Sequence, residues 1–281
     1  MAGNLLISGC SSGIGRACAL HFAGKGYHVF ACVRKETDAA SLREADPSGN
    51  LEPLMLDVTD ASRLDTIAAD LAGRLGQQGL TGLVNNAGVG TGGPLEFQDP
   101  EEVRHTFEVN VMGPLRLSQA FLPLLRKARG RIINIGSMAG KVAMPLNGSY
   151  TISKFGVEAF SDSLRQELQP HGIKVSLVEP GPIATPMISG AQQQGDSHLA
   201  RLPPQATEHY GERMARLLAQ LADMERKAPP PAVVVKAVEH ALESARPKTR
   251  YVVTREAKLL IFLRWLLPDR ALDFLLAKML A

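Results

Sequence analysis

Tyr150 and Lys154 stand four residues apart in a stretch with helical patterning, so they share one face. A free tyrosine titrates at about 10, too high for efficient proton transfer near neutrality. A neighbouring ammonium favours the phenolate and lowers that value. Tyr150 is therefore a candidate proton-transfer residue, with Lys154 as the charge that tunes it. Ser137 lies upstream, just past an apolar run, where its hydroxyl can bond a substrate oxygen. A Tyr/Lys pair at this spacing is common on helix surfaces. Its combination with an upstream serine and a glycine-rich first turn argues against coincidence.

That turn is Ser8-Gly9-Cys10-Ser11-Ser12-Gly13-Ile14-Gly15. Glycines there allow a tight turn and a close approach of backbone to a pyrophosphate, and the next helix aims its free N–H groups at the anion. Gly15 also lets helix and strand pack closely. Alone, such a turn is equally a structural device. Following a first strand and opening an amphipathic helix, it reads as a dinucleotide cradle made by Gly9, Ser11, Ser12, Gly13, Ile14 and Gly15. The second strand ends in Cys32-Val33-Arg34-Lys35, with no acid at its tip. A carboxylate there bonds a ribose 2′-hydroxyl, whereas Arg34, helped by Lys35 and Ser11, can grip a 2′-phosphate. NADP(H) is the expected cofactor. The competing reading is a solvated Arg34 paired with Glu36 or Asp38.

The elements that must position these groups alternate. Apolar runs at Asn4 to Ser8, His28 to Val33, Leu51 to Leu56, Leu80 to Asn85, Arg131 to Ile135, Ile173 to Val178 and Arg250 to Val253 read as strands. Helical patterns fill Ile14 to Lys25, Ala61 to Leu75, Pro100 to Arg126, Ser149 to Leu168 and Ala232 to Ala245. Alternation of this kind means βαβ units and a parallel sheet covered on both faces. Residues 179–231 break the rhythm. Glu212 to Met224 has apolar residues near helical spacing, as in a lid helix or one packed on the core. Residues 257–281 mix Leu, Phe and Trp265 with Lys258, Arg264, Arg270 and Lys278, and Pro268 should split them into two helices. A core or dimer helix is the first reading, and an amphipathic surface against a membrane or over an apolar pocket the second.

Together these residues resemble the short-chain dehydrogenase/reductase family. Ser8 to Gly15 is similar to its glycine turn, with Ser8 for the usual threonine. Asn85-Asn86-Ala87-Gly88, Asn110 in Val109-Asn110-Val111, Ser137, Tyr150-Thr151-Ile152-Ser153-Lys154 and Pro180-Gly181 match its further motifs. The resemblance covers about residues 4–185. It implies a doubly wound Rossmann fold with a seven-stranded parallel sheet. It implies that Tyr150 is the acid in reduction and the base in oxidation. Lys154 would lower the Tyr150 pKa and bond the nicotinamide ribose, Ser137 would polarise the carbonyl, and Asn110 would hold a relay water. Asp57, beside Val58, would bond the adenine amino group, and Asn86, Ala87 and Gly88 would pack along the adenosine. Pro180, Gly181, Ile183 and Thr185 would seat the nicotinamide. The Arg250-Tyr251 to Arg255 segment resembles the 17-beta-hydroxysteroid and retinol dehydrogenase branch, which points to a bulky apolar steroid, retinoid or long-chain carbonyl. A 3-oxoacyl thioester reductase is the alternative substrate reading. A non-catalytic NADP-binding regulator is the alternative class, opposed by the intact tetrad.

Composition sets the remaining bounds. The 281 residues suit one domain, 1–281, with a substrate insert at 183–231 and the tail at 257–281. A net charge of +3, dispersed, does not suit nucleic acid. Cys10, Cys18 and Cys32 have no metal or redox spacing and read as free thiols in a reducing compartment. The seven histidines are scattered, so no metal site is expected. With no signal peptide pattern and no apolar run of about 18 residues, the expectation is a cytoplasmic protein, a peripheral membrane contact through the tail being the second reading. A homodimer or homotetramer built on the Pro100 to Arg126 and Ser149 to Leu168 helices is also expected.

Overall fold

The computed structural model describes residues 2–90, 92–187 and 203–279. Residues 188–202 of the expected substrate insert, with the apolar Ile188, Leu199 and Leu202, lie outside them. In chain order the elements are β1 (Asn4–Ile7), α1 (Gly13–Gly24), β2 (His28–Val33), α2 (Glu36–Ala45), β3 (Leu51–Met55), α3 (Ala61–Leu75) and β4 (Gly82–Asn85). Next come α4 (Pro100–Phe107), α5 (Gly113–Ala128), β5 (Arg131–Ile135), α6 (Gly148–Leu168) and β6 (Lys174–Pro180). The chain closes with α7 (Pro204–Lys227), α8 (Ala232–Glu243), β7 (Arg250–Val253), α9 (Arg255–Leu266) and α10 (Asp269–Met279).

The seven strands form one parallel sheet in the order β3-β2-β1-β4-β5-β6-β7. The order reverses between β1 and β4, and open α/β sheets bind ligands at such a switch point, beyond the carboxyl ends of the strands. Strand side chains are buried on both faces, which is why the sequence runs are apolar without alternation. On one face Cys18 and Phe22 of α1, Leu42 of α2 and Val234, Val238 and Leu242 of α8 pack together. On the other, Leu64 and Leu71 of α3 meet Leu117, Phe121 and Leu125 of α5. Each such leucine or phenylalanine contributes roughly 1.5–3 kcal/mol by leaving water.

Three departures from the sequence reading have local causes. The stretch Pro100 to Arg126 is not one helix. Asp99 caps α4, and Glu108–Met112 forms a π turn around Asn110, closed by Gly113 N–H donating to Glu108 O. Such turns cluster at functional sites. Helix α2 was not expected, because it buries only Ala39 and Leu42 and so shows little apolar periodicity. Helix α7 is longer than Glu212 to Met224; Pro204 at its first position suits a helix start.

The tail divides at Pro268 into α9 and α10. Leu272 and Leu276 pack on Val142, while Leu259, Phe262, Trp265 and Phe274 are exposed. Among the described residues, no helix is long and apolar enough to cross a membrane.

Candidate active site

The glycine turn sits where β1 gives way to α1. Gly9 has φ +71, and a Cβ on it would lie 2.7 Å from Ala87 Cα. A Cβ on Gly15 would lie 2.2 Å from Gly9 O and 2.4 Å from Asn86 Nδ2, so only hydrogen fits. Asn86 locks the turn from the other side of the switch point, donating from Nδ2 to Ser8 O (2.9 Å) and Gly9 O (3.0 Å). Ser8 Oγ accepts from the Asn86 and Ala87 N–H groups, each at 3.0 Å. Replacing Ser8 with alanine leaves those two donors without their acceptor. Ser8→Ala is expected to lose about 1–3 kcal/mol of unfolding free energy, measured by urea unfolding, with Ser8→Thr restoring it.

The N-terminus of α1 is open to an anion. Ser12 occupies the cap position without a side-chain cap bond, and no acid stands in the first turn. Ser11 and Ser12 are exposed, and Ile14 lines the cavity beyond. At the tip of β2, the Arg34 side chain is 63% exposed. It is not paired with Glu36, which binds Arg43 at 2.8 Å; its nearest acid is Asp57, at 3.8 Å. Lys35 is exposed at the cap of α2. Asp57 accepts from Thr59 N (2.9 Å) and Oγ1 (2.7 Å). Burial pushes its carboxyl up, but these bonds and the Arg34 charge together hold it below its usual value. Val58 turns inward, its side chain buried against Gly113.

Across the switch point the catalytic candidates surround a cavity of about 520 Å³. Its lining brings together Asn86, Gly88, Ser137, Tyr150, Lys154, Pro180, Gly181, Ile183 and Thr185. Tyr150 is hydrogen-bonded to Ser137. Burial pushes the Tyr150 phenol up, and the Ser137 bond pulls it partly back. Lys154 turns to the neighbouring strand. Its Nζ donates to Ile135 O at 2.9 Å and lies 5.5 Å from the centre of the Tyr150 ring, and its own burial pushes it down to about 8. Asn110 is committed to backbone and side chain. Its Oδ1 accepts from Val89 N (2.8 Å), and its Nδ2 donates to Val89 O (2.8 Å) and Ser153 Oγ (2.9 Å). Ser153 Oγ in turn donates to Tyr150 O at 2.7 Å, so Asn110 ties the π turn to the helix bearing Tyr150. Thr185 folds back over the glycine turn, its methyl 3.1 Å from where a Gly13 Cβ would stand.

Two sets of residues escaped the sequence reading. One is a buried chain of polar groups under the site. Asn85 Nδ2 donates to Asn134 Oδ1 (2.8 Å) and Ser118 Oγ (3.3 Å), and Asn134 Nδ2 donates to Ser161 Oγ (2.8 Å). It bonds α5 and α6 to the sheet; beyond Asn85, already part of a motif, an asparagine amid Ile132, Ile133 and Ile135 is its sequence signal. The other is one side of the apolar wall, where Met138, Met144 and Leu146 face Met214, Leu217 and Leu221 of α7, which lie in the run expected as a lid helix, with Leu276 of the tail helix α10.

An uncapped α1 N-terminus, a turn that a Cβ would fill and a neighbouring cavity fit a nicotinamide dinucleotide. The sequence matches the short chain dehydrogenase family over residues 4–196. The chain belongs to that family: it is an oxidoreductase of alcohol and carbonyl groups that uses a nicotinamide cofactor. Among curated proteins it is 39% identical to mouse (Mus musculus) retinol dehydrogenase 5 over 283 residues, covering 97% of this chain and 87% of that one. It is 40% identical to bovine (Bos taurus) mitochondrial D-beta-hydroxybutyrate dehydrogenase over 262 residues, covering 88% of this chain and 75% of that one. Among solved structures, a short chain dehydrogenase from Burkholderia cenocepacia in complex with NADP superposes with a TM-score of 0.73 at 26% identity, covering 99% of this chain and 98% of the other.

Proposed function

We propose that the protein is an NADP(H)-dependent enzyme that interconverts a carbonyl and an alcohol on a bulky apolar substrate such as a steroid, a retinoid or a long-chain ketone or aldehyde. One observation carries the substrate reading. The cavity wall beyond Tyr150 is built of Met and Leu, and among its described lining residues the ionisable side chains are only Glu102, Tyr150 and Lys154. Lys154 is held by Ile135 O. Among the described lining residues no other cation is present to match a carboxylate, as a small hydroxy acid would require, or the phosphates of an acyl carrier. Similarity to a retinol dehydrogenase supports the same reading.

Within the site Ser137 orients the substrate oxygen and Tyr150 exchanges a proton with it. Lys154 and the Pro180 to Thr185 segment hold the nicotinamide half, and the α1 N-terminus holds the pyrophosphate. The cofactor, when bound, supplies or accepts the hydride. Asn110 supports Tyr150 through Ser153.

Arg34 supports the choice of NADP(H). It stands free of Glu36 at a strand tip that lacks an acid, and a guanidinium matches a 2′-phosphate. Steady-state oxidation of NADPH and NADH on a panel of bulky and small carbonyls tests both proposals. NADPH with bulky apolar carbonyls is expected to give the highest kcat/KM. Arg34→Asp is expected to lower kcat/KM for NADPH by about 100-fold while sparing NADH, because it replaces an attractive charge by a repulsive one. Equal use of both cofactors by the native protein refutes the cofactor reading, and turnover confined to short hydroxy acids refutes the substrate reading.

A further inference from the structure

The segments that carry the site converge on a buried cluster of charge outside it. Glu158 stands one turn past Lys154 on α6, and Glu179 lies in β6 immediately before Pro180 and Gly181. Lys141 follows the Met138–Gly140 turn that begins at Ser137. Arg250 opens β7. Glu179 is 1% exposed and Glu158 7%.

The cations of this cluster are drawn to Glu158. Its Oε2 receives Lys141 Nζ at 2.5 Å, Arg250 Nη2 at 3.0 Å and Arg250 Nε at 3.2 Å. Arg250 Nη2 also donates to Asp162 Oδ2 at 2.6 Å, and Asp162 is bound by Arg165 as well. Glu179 Oε1 is left 3.6 Å from Arg250 Nε and 3.9 Å from Lys141 Nζ. Glu179 Oε1 and Glu158 Oε1 are both buried without a hydrogen-bond partner.

An ionised carboxylate with a bare buried oxygen is costly. One proton removes that charge from Glu179 and makes it a donor to Glu158. We propose that Glu179 keeps its proton at neutral pH beside Glu158, and that this pair fastens the segment beginning at Pro180 and Gly181 to α6, so that cofactor affinity falls when the proton leaves. The pair holds no reacting atom; both are positioning residues. Burial is the largest cause that pushes Glu179 up to about 8; the bond to Glu158 and its charge add to this, and Lys141 and Arg250 oppose it. Above that pH two adjacent carboxylates repel across the junction of β6 and α6.

The sign for stability follows from the same shift. Glu179 titrates near 8 in the folded chain against an ordinary 4.5. The folded state therefore binds the extra proton between those values, and stability falls as pH rises from 4.5 towards 8. In Glu179→Gln the amide donates to Glu158 at every pH and no proton is taken up. Its melting temperature is expected to gain on the native protein across that interval.

The deciding measurement is the Kd of whichever of NADPH and NADH binds more tightly, read by nucleotide fluorescence from about pH 6.5 to about pH 9.5. Lys154, next to the cofactor, titrates in both proteins, so the ratio of native to Glu179→Gln constants isolates Glu179. That ratio is expected to rise by about fivefold across the range, with the native protein weakening more. A ratio that stays constant across the range overturns the proposal. Should Glu179→Gln fail to fold, Glu158→Gln also removes the repulsion between carboxylates and is judged by the same ratio.

Discussion

Tyr150→Phe is expected to lower kcat by at least about 10²–10⁴-fold, the usual worth of a general acid or base, while leaving the cofactor Kd nearly unchanged. The ring keeps its place, because Gly90 packs on its face and Ser153 Oγ holds the Tyr150 carbonyl. Only the hydroxyl bonded to Ser137 is lost. Burial raises the phenol, so Tyr150 retains its proton through neutrality. That suits an acid in carbonyl reduction. Oxidation requires the deprotonated form, so alcohol oxidation should gain with rising pH while reduction does not. Fluorescence titration of the cofactor beside steady-state turnover checks both halves. Unchanged turnover removes Tyr150 from the chemistry; lost binding shows that the ring, rather than the hydroxyl, is what matters.

The direction of the Lys154 side chain shows where sequence reasoning stops. Helical spacing places Tyr150 and Lys154 on one face, and they are so placed. Spacing does not say where a flexible four-carbon chain aims its ammonium. Here it turns to Ile135 O, on the neighbouring strand β5. Asn110 is similar. Its motif is legible, but the π turn that presents it is not, because helix periodicity over Pro100 to Arg126 reads straight through a one-residue insertion. The alternating elements were legible because a doubly covered parallel sheet demands apolar strands. Helix α2 was not, since it buries just two side chains. The acid pair was invisible for another reason: Glu158 and Glu179 are ordinary surface residue types in a sequence, and only the meeting of β6 with α6 buries them.

The wall of the cavity joins these distant parts. Met138, Met144 and Leu146 come from the loop after β5, Met214 and Leu217 from α7, and Leu276 from α10. Met138, Met144 and Leu146 lie between Ser137 and Tyr150, whereas Met214, Leu217 and Leu276 lie far beyond them in the chain, so the catalytic segment supplies one side of the wall and α7 and α10 the other. Flexible methionine side chains fill irregular space and adapt to apolar shapes. The catalytic floor, by contrast, rests on the Asn85, Asn134 and Ser161 chain of buried hydrogen bonds, which holds α6 in one register with the sheet. A rigid floor beneath an adaptable wall is consistent with one chemistry applied to a bulky apolar group.

Gly15→Ala is the second change with a large expected effect, and its neighbour in the same helix supplies the control. A Cβ at residue 15 meets Gly9 O at 2.2 Å, and Gly9 is itself fixed at φ +71 against Ala87. The obstacle is backbone, which cannot rotate away as a side chain does. Either α1 shifts outward or the turn opens, and each moves the N–H groups that receive the pyrophosphate. Cofactor affinity is expected to fall by about 100-fold, since displacement of about 1 Å in a positioned site costs that much. Overpacking should remove about 1–3 kcal/mol of stability as well. Gly24 closes the same helix with nothing within 4 Å of its would-be Cβ. Gly24→Ala is therefore expected to leave cofactor binding alone and to stabilise the fold by about 0.4–1 kcal/mol. Isothermal titration with the cofactor and urea unfolding on the two variants separate a steric effect at the cradle from a general effect of adding a methyl group to α1. Equal binding by both variants would show that the turn tolerates the displacement and that the pyrophosphate lies elsewhere.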